Sequence, residues 1–232
     1  GAAYAPAAMF TVTLWLMICG IFGSTPASVA HAPPAPLADA LAALARERAL
    51  AAHPGLELDA DAVATHNANV GPCLAADITT AHAPHGADLV AGGVPCTTFS
   101  IAGKGDGLDD PRGQLFASLL RISVEAGARC VLMENVRGLI SRGALAVVLT
   151  AFRAHGFVAV HALLSADDYG VPQARKRLFI AGFRDAADLA RFHWPTPSHG
   201  APGNLYGLPR WRTVRDALGL PIDTPSIAVT AC

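Results

Sequence analysis

An α/β fold, with a mostly parallel sheet covered by helices on both faces, is predicted for this chain. Short apolar segments recur between Leu56 and Phe183, helix-forming segments alternate with them, and polar or glycine-rich stretches adjoin the apolar segments. Continuous apolar runs are typical of parallel strands that are buried on both faces. Their alternation with helices indicates βαβ units. Functional side chains are then expected where the carboxyl ends of the strands open into loops.

The elements follow in a regular order. A helix over 37–52 carries leucines on one side and ends at Pro54 and Gly55. Strands are predicted over 56–58, 73–76, 87–91, 129–133, 157–164 and 177–183. Helices are predicted from a cap at Asp59 or Asp61 through Asn67, over 113–126, and near 143–155. A loop rich in Gly and Asp, 92–112, interrupts this alternation.

Three parts can be distinguished along the chain. Residues 1–55 are apolar and rich in Pro and Ala, and residues 56–185 carry the α/β pattern. From 186 to 232 several prolines, together with Trp194 and Trp211, indicate an irregular segment that begins a different module.

The composition limits the possible classes of protein. A hydrophobic fraction of 52% with 15% charged residues excludes a disordered chain. The net charge is −1, so binding of a polyanion must come from local basic clusters. The five cysteines are odd in number and form no C-x-x-C pair, which argues against a disulfide framework and against a metal site. Reduced thiols of a bacterial cytoplasm fit better.

The start of the chain is unusual. Its first 38 residues contain no charged side chain, 9–22 is strongly apolar, and Ala30-His31-Ala32 mimics a signal-peptidase site. A basic segment before the apolar run is missing, and that run is shorter than the ~20 residues of a membrane-spanning helix. Export and membrane association are therefore disfavoured. A buried strand with a Pro-rich connection, or a segment that is not the native start, remain the alternatives.

Cys96 is the candidate nucleophile. It follows a predicted strand, Gly92-Gly93, Val94 and Pro95, in a loop too rich in glycine to be core. A thiol presented in a cleft beside a positive group reacts as the thiolate. The alternative is an inert buried cysteine.

Two further groups complete a candidate catalytic set. Glu134 ends an apolar strand, where partial desolvation raises the pKa of a carboxyl group and suits it to donate a proton. Asn135 and Val136 are expected to make a tight exit from that strand. Arg175 and Arg177 share one side of an extended segment and form a face for a phosphate or a ring carbonyl. The alternatives are a strand-end ion pair and a solvated run of charges.

Two acids lie near the ends of early strands. Glu57 and Asp77 are about 20 residues apart, and an acid at the end of an early strand in such folds commonly binds ribose hydroxyls. The other can accept from an adenine amino group. Either residue could equally serve as a helix cap or a loop residue.

These segments resemble the cytosine-5 DNA methyltransferase family over 57–185. The chain matches the family patterns G-G-P-P-C-x-x-F-S, D-x-R-G-x-L-F, E-N-V and Q-x-R-x-R, in the family's order, at 92–100, 109–116, 134–136 and 173–177. Glu57-Leu58-Asp59 and Asp77-Ile78 resemble its two acidic cofactor elements.

The resemblance implies a Rossmann-like fold, S-adenosylmethionine as methyl donor, and a cytosine flipped out of double-stranded DNA as acceptor. It makes Cys96 the nucleophile, Glu134 the acid at N3, Arg177 the residue that steadies the cytosine, and Arg175 its neighbour. The implied cofactor residues are Glu57, Leu58, Asp77, Ile78, Pro95 and Leu115. The implied substrate residues are Thr97, Ser100, Asn135 and Gln173.

The chain also departs from the family. The F-x-G-x-G turn that precedes Glu57 in the family is not found, Val94 replaces a proline, and the closing G-N-x-V-x-P element is missing. Residues 186–232 resemble the start of the target-recognition region. We therefore expect an incomplete fold and weak cofactor binding. A restriction–modification enzyme, a non-catalytic DNA-binding relative and an RNA methyltransferase remain the candidate functions.

Overall fold

The computed structural model describes residues 54–69, 72–83, 86–94, 114–141 and 144–219. The predicted helix over 37–52, the apolar start of the chain and residues 95–113 lie outside this part. The strands are β1 (Gly55–Glu57), β2 (Cys73–Ala75), β3 (Leu89–Gly92), β4 (Cys130–Val136), β5 (Val158–Ser165) and β6 (Lys176–Phe183). The helices are α1 (Ala60–Asn69), α2 (Gln114–Glu125), α3 (Gly138–Ser141), α4 (Ala144–Ala154), α5 (Ala186–Arg191) and α6 (Val214–Leu218), and a 3₁₀ helix spans Ala166–Tyr169.

The strands form two groups. β1 and β2 pair in parallel, and the other four strands form a sheet in the order β3-β4-β6-β5. Within it β3 and β4 are parallel, whereas β6 runs antiparallel to both of its neighbours. The predicted α/β fold is confirmed, with one antiparallel strand among strands that share a direction. Only residues 166–175 separate β5 from β6, which is too short for a parallel crossover connection.

The sheet is buried on both faces. On one face Val131, Met133, Leu178 and Ile180 pack against α2 and α4, which contribute Phe116, Leu119, Leu120, Val148 and Phe152. On the other face Leu132, Phe179 and Phe183 pack with Phe192 and Trp194, which follow α5. β4 and β6 are therefore central strands, which explains their unbroken apolar sequence.

The packing on the α4 face is close. A Cβ atom added at Gly182 of β6 would lie 2.5 Å from Cδ1 of Phe152. Cys130 in β4 is a core residue, and its burial raises the pKa of the thiol to about 12.

Two expectations about local structure need correction. Glu134 does not end its strand, and Asn135 and Val136 do not form an exit turn, because β4 continues through Val136. Antiparallel pairing with β6, in register Val136 opposite Arg177, extends the strand. Helix α3 was also not predicted, since its four residues are too few to show a hydrophobic period.

Other boundaries agree to within a few residues. α1 begins at Ala60, and Oδ1 of Asp59 accepts a hydrogen bond of 2.8 Å from the Ala62 amide, so Asp59 is the cap. In the described part of the chain no helix is long and apolar enough to cross a membrane.

Candidate active site

Glu134 and Arg177 form an ion pair at the edge of the sheet where β4 ends and β6 begins. Nε of Arg177 lies 2.9 Å from Oε1 of Glu134, and the two side chains are 24% and 18% exposed. They meet because Arg177 stands opposite Val136, one pleat beyond Glu134, on the same face of the antiparallel pair.

The antiparallel direction of β6 explains this meeting. Arg177 is the second residue of β6, and Arg175 lies in the connection between β5 and β6. A parallel β6 would have placed both arginines at the edge opposite Glu134. They lie instead at the edge where β4 and β5 end, which is the edge expected for functional side chains.

Burial has the largest influence on the pKa of Glu134. Loss of solvent raises the pKa of its carboxyl group, and the charges of Arg177 and Arg175 and the Arg177 hydrogen bond lower it only in part. The net direction is upward, despite an ion pair of good geometry. Such a carboxyl group keeps its proton to higher pH than a solvated one and suits proton donation.

Arg175 and Gln173 lie beside this pair. Burial and the charge of Arg177 lower the pKa of the Arg175 guanidinium, opposed by Glu134. Gln173 is half-buried, and its buried Oε1 atom has no hydrogen-bond partner among the residues that the structure describes. A buried acceptor without a donor is costly, so a ligand with an N–H or O–H group would be favoured here.

Asn135 joins β4 to the chain that leads towards Cys96. Its side chain is 2% exposed, and Nδ2 donates a hydrogen bond of 3.1 Å to the carbonyl oxygen of Val94. Val94 also packs against the core on the α2 face. Val94, the last described residue before Pro95 and Cys96, therefore lies next to Asn135.

Glu57 is the last residue of β1 and Asp77 lies two residues after β2, so both acids are near the ends of neighbouring parallel strands, as predicted. The Ala76 amide donates to the Glu57 carbonyl oxygen, which brings the two acidic segments together. Oε1 of Glu57 accepts from the amides of Leu58 and Asp59 at 2.8 and 3.1 Å. Asp77 accepts from the Thr79 amide and hydroxyl at 2.8 and 2.7 Å, and these bonds lower the pKa of its carboxyl group.

The apolar residues predicted at the cofactor site differ in exposure. Leu58 is 72% exposed, whereas Ile78 packs against the core and Leu115 is half-buried in the first turn of α2. Leu58 is thus open to a ligand, and Ile78 supports the loop behind Asp77.

Two residues that were not predicted from the sequence hold the loop after Asp77 in place. Nη2 of Arg121 donates to the carbonyl oxygens of Ile78 and Ala81 at 2.8 and 2.9 Å. Its Nη1 lies 2.6 Å from Oε1 of Glu125, one helical turn along α2. Oε2 of Glu125 in turn accepts from the Ala83 amide at 3.3 Å. We call Arg121 and Glu125 the loop clamp. Their i, i+4 spacing was the available signal, but it equally fits a solvated surface pair.

Pro95, Cys96, Thr97 and Ser100 lie outside the described residues. Within the part that the structure describes, no group of three or more His, Cys, Asp or Glu side chains could hold a metal ion.

The family model for the C-5 cytosine-specific DNA methylase matches residues 49–223. The chain belongs to this family. The methylase match covers every described element, from β1 to α6.

Curated relatives of this chain include "Type II methyltransferase M.AquIA" from Picosynechococcus sp., which is 42% identical over 162 residues, 61% of this chain and 64% of the relative. "Type II methyltransferase M.HpaII" from Haemophilus parainfluenzae is 35% identical over 150 residues, 61% of this chain and 42% of the relative. The matched part thus spans less than two thirds of either relative.

A solved structure shares the fold. The "S. pombe Dnmt2 methyltransferase" superposes with a TM-score of 0.50 at 21% identity, over 64% of this chain and 48% of that chain. The described elements therefore have the arrangement of a methyltransferase fold.

Proposed function

We propose that this chain is a DNA cytosine-5 methyltransferase that acts through a covalent adduct of Cys96. The observation that carries the proposal is the Glu134–Arg177 pair near the end of β4, where the next residue, Asn135, donates a hydrogen bond to the carbonyl oxygen of Val94. Cys96 follows Val94 by two residues. The proposal requires its thiol to meet a ring that is held at Glu134.

The chemistry needs both an acid and a nucleophile. C5 of cytosine is too weak a nucleophile to take a methyl group directly. When the Cys96 thiolate adds to C6, the ring π electrons move towards N3, which takes the proton of Glu134. The product is an enamine with a nucleophilic C5. The raised pKa of the Glu134 carboxyl group supports this role.

The adduct then resolves. When bound, S-adenosylmethionine would supply an electrophilic methyl group: the C5 electron pair bonds to the methyl carbon, the bond from that carbon to sulfur breaks, and S-adenosylhomocysteine leaves. A base removes the C5 proton, that electron pair re-forms the C5–C6 double bond, the C6–S bond breaks, and the thiolate leaves. The N3 proton returns to Glu134, so the residues end in their initial state.

The remaining roles follow from position. Arg177 holds Glu134 and steadies the cytosine, while Arg175 supports the flanking backbone. The orphan acceptor of Gln173 suits a donor on the substrate, and Asn135 positions the Cys96 segment. C6 is unreachable inside a stacked duplex, so the cytosine must be flipped out.

The cofactor residues fit the methyl donor. Glu57 and Asp77 bring two carboxylates to one edge, where they can accept from ribose hydroxyls and from an adenine amino group. The lowered pKa of Asp77 keeps that acceptor ionised. Leu58, Ile78, Pro95 and Leu115 would supply apolar contacts to the bound donor.

The substrate and setting follow from the relatives. Both relatives described above are named Type II methyltransferases. We extend that role to this chain: methylation of double-stranded DNA in a bacterial restriction–modification system, in the cytoplasm. Residues 186–232 would begin the target-recognition region, after a catalytic domain over 56–185.

Covalent trapping tests the proposal. With S-adenosylmethionine and duplex DNA that contains 5-fluorocytosine, the wild-type chain should form a denaturation-resistant adduct, because the C5 fluorine cannot leave as a proton. Cys96→Ser should form none. Cys73→Ser, which alters a cysteine of β2, is the matched control and should retain the adduct.

The outcomes separate the candidate functions. An adduct that persists in Cys96→Ser would remove Cys96 as the nucleophile. DNA binding without any adduct in the wild-type chain would favour the non-catalytic relative. An adduct formed on RNA alone would move the chemistry to RNA.

A further inference from the structure

The connection between β5 and β6 carries two residues of the candidate active site. It spans 166–175, begins with the 3₁₀ helix and ends with Gln173 and Arg175, which are one residue apart. Gln173, Arg175 and Arg177 are half-buried, whereas the residues between them are exposed, so the three share the protected side of the chain. The charge of Arg175 also lowers the pKa of Glu134. The end of the connection therefore lies beside the Glu134–Arg177 pair.

Local hydrogen bonds shape this connection but do not fix its place in the fold. The Gln173 amide donates 2.7 Å to the carbonyl oxygen of Val171, and the Arg175 amide donates 2.9 Å to the carbonyl oxygen of Gln173. Each bond closes a three-residue turn, which sets only a local bend. Two longer connections lead to the 3₁₀ helix: the Ala166 amide donates 2.9 Å to the carbonyl oxygen of Arg175, and the Ala166 carbonyl oxygen accepts from Val171 at 3.2 Å. The position of Gln173 and Arg175 therefore depends on the position of the 3₁₀ helix.

The 3₁₀ helix is held by the segment 195–211, which follows α5. The helix has four residues, and 3₁₀ hydrogen bonds have poorer geometry than α-helical ones, so contacts from outside stabilise it. The amides of Ser198 and His199 donate to the carbonyl oxygen of Asp168 at 2.9 and 3.0 Å. The hydroxyl group of Tyr169 donates 2.9 Å to the carbonyl oxygen of Pro195.

One bond between side chains joins the same two parts of the chain. Nε1 of Trp211 donates 2.9 Å to Oδ1 of Asp168, which lies 43 positions earlier. Both residues are half-buried. An indole N–H group can only donate and a carboxylate can only accept, so each group suits the other. A hydrogen bond to an ionised acceptor is also stronger than one between neutral groups. The bond therefore holds the 3₁₀ helix against the segment 195–211.

Close packing supports these bonds. Gly170, directly after the 3₁₀ helix, has a φ of 79°, and a Cβ atom added there would lie 2.7 Å from Cε1 of His199. A side chain at this position would push the connection away from the segment 195–211. The connection thus lies in direct contact with the segment that carries Trp211.

We propose that Asp168 and Trp211 are positioning residues for methyl transfer. Their hydrogen bond holds the 3₁₀ helix, and the helix holds Gln173 and Arg175 beside Glu134. This inference rests on the proposed function, because it takes the chemistry at Glu134 as given. Neither Asp168 nor Trp211 belongs to the catalytic set, and the role needs no contact between either side chain and DNA. Their bond affects the rate of the covalent step and not the binding of the cofactor.

The rate of adduct formation tests this role, with 5-fluorocytosine duplex and S-adenosylmethionine both at saturating concentration. Asp168→Ala removes the acceptor and should slow adduct formation about tenfold, because Gln173 and Arg175 are correctly placed for a smaller fraction of the time. The affinity for S-adenosylmethionine, measured by calorimetry, should stay at the wild-type value, since Glu57 and Asp77 lie on other strands. Asp168→Asn keeps an acceptor oxygen and should retain most of the wild-type rate.

The donor of the bond supplies a second test. Trp211→Phe removes the indole N–H group, keeps an aromatic ring, and should slow adduct formation as much as Asp168→Ala does. If the two side chains act through one bond, the double variant should be no slower than the slower single variant. Tyr169→Phe removes only the bond to Pro195 and should have a smaller effect of the same kind.

Hydrogen exchange gives a readout that does not depend on activity. In Asp168→Ala the amides of 171–175 should exchange about tenfold faster, because one hydrogen bond that opposes local opening is lost. The amides of α4, which packs on the sheet, should exchange at the wild-type rate.

Arg184→Met is the matched control. Nε of Arg184 donates 2.7 Å to the carbonyl oxygen of Ala128, 56 positions earlier, at the other end of β6. The substitution removes a long-range bond from a part-buried side chain, as Trp211→Phe does. Both the adduct rate and the exchange of 171–175 should keep their wild-type values.

Two results would overturn the inference while the proposed function stands. If Asp168→Ala lowers the unfolding midpoint but leaves the adduct rate and the exchange of 171–175 unchanged, the bond is only structural. If Arg184→Met is as slow as Asp168→Ala, lost stability accounts for the loss of rate. If the wild-type chain forms no adduct, the proposed function fails and the catalytic part of this inference fails with it. The exchange rates still decide whether the bond positions Gln173 and Arg175.

Discussion

Two carboxylates at the edges of this fold, Glu134 and Asp77, have opposite environments. Glu134 lies in a central strand, is 18% exposed and has a raised pKa because burial outweighs its arginine partner. Asp77 follows an exposed two-stranded pair and has a lowered pKa because the Thr79 amide and hydroxyl donate to it. One group is prepared to give a proton and the other to remain an ionised acceptor. Residue type alone does not distinguish these roles, whereas depth in the sheet does.

Of the substitutions that test this comparison, Glu134→Gln should have the largest effect, which is a loss of methyl-transfer activity. The amide cannot give the proton that N3 takes, and general acid catalysis contributes about a hundredfold or more. We expect kcat for methyl transfer to fall by about that factor, with the unfolding midpoint close to the wild-type value. A steady-state methyl-transfer assay with labelled S-adenosylmethionine measures the rate.

The control is another well-paired acid of similar exposure. Asp188 is also 18% exposed, and its Oδ1 lies 2.8 Å from Nη2 of Arg129, at the far end of β4. Asp188→Asn breaks an ion pair of the same type and should leave kcat unchanged. Equal losses in both variants would show that stability, and not proton donation, links Glu134 to activity.

The loop clamp is expected to have an intermediate effect, confined to the cofactor edge. Arg121→Met removes the hydrogen bonds to Ile78 and Ala81, at a cost of about 1–2 kcal/mol in the free energy of unfolding, since the side chain is partly solvated. The loop behind Asp77 then loses its support. KM for S-adenosylmethionine should rise severalfold with little change in kcat.

Arg121→Lys and Arg153→Met serve as controls for the clamp. The lysine keeps the charge but can bond to fewer carbonyl groups. KM of Arg121→Lys for S-adenosylmethionine should therefore lie between the values of the wild-type chain and Arg121→Met. Arg153 is exposed on α4, and its replacement should leave KM unchanged. If Arg121→Met lowered kcat and left KM unchanged, the loop clamp would act on Glu134 and not on the cofactor edge.

The fold and the main residues of the candidate site could be predicted from the sequence, but the spatial arrangement of those residues could not. The apolar runs predicted the fold, and the motifs predicted Glu134, Arg175, Arg177, Glu57 and Asp77. The direction of β6 could not be read from its residues, since a buried strand is apolar whichever way it runs. The hydrogen bonds from Arg121 to Ile78 and Ala81, and the bond from Trp211 to Asp168, join residues 40 or more positions apart. Such contacts leave no local pattern.

The pH dependence of stability should show the smallest effect, with opposite signs for the two acids. A raised pKa means that the folded chain binds more protons than the unfolded chain, so the contribution of Glu134 to stability falls as pH rises above about 4.5. A lowered pKa means that the contribution of Asp77 is present above about 3.8 and is lost as pH falls. Urea unfolding from about pH 2 to pH 7 measures both, with Glu134→Gln and Asp77→Asn as references. Relative to its own variant, the wild-type chain should lose stability with rising pH for Glu134 and gain it for Asp77. Slopes of the same sign would mean that depth in the sheet does not separate the two carboxylates.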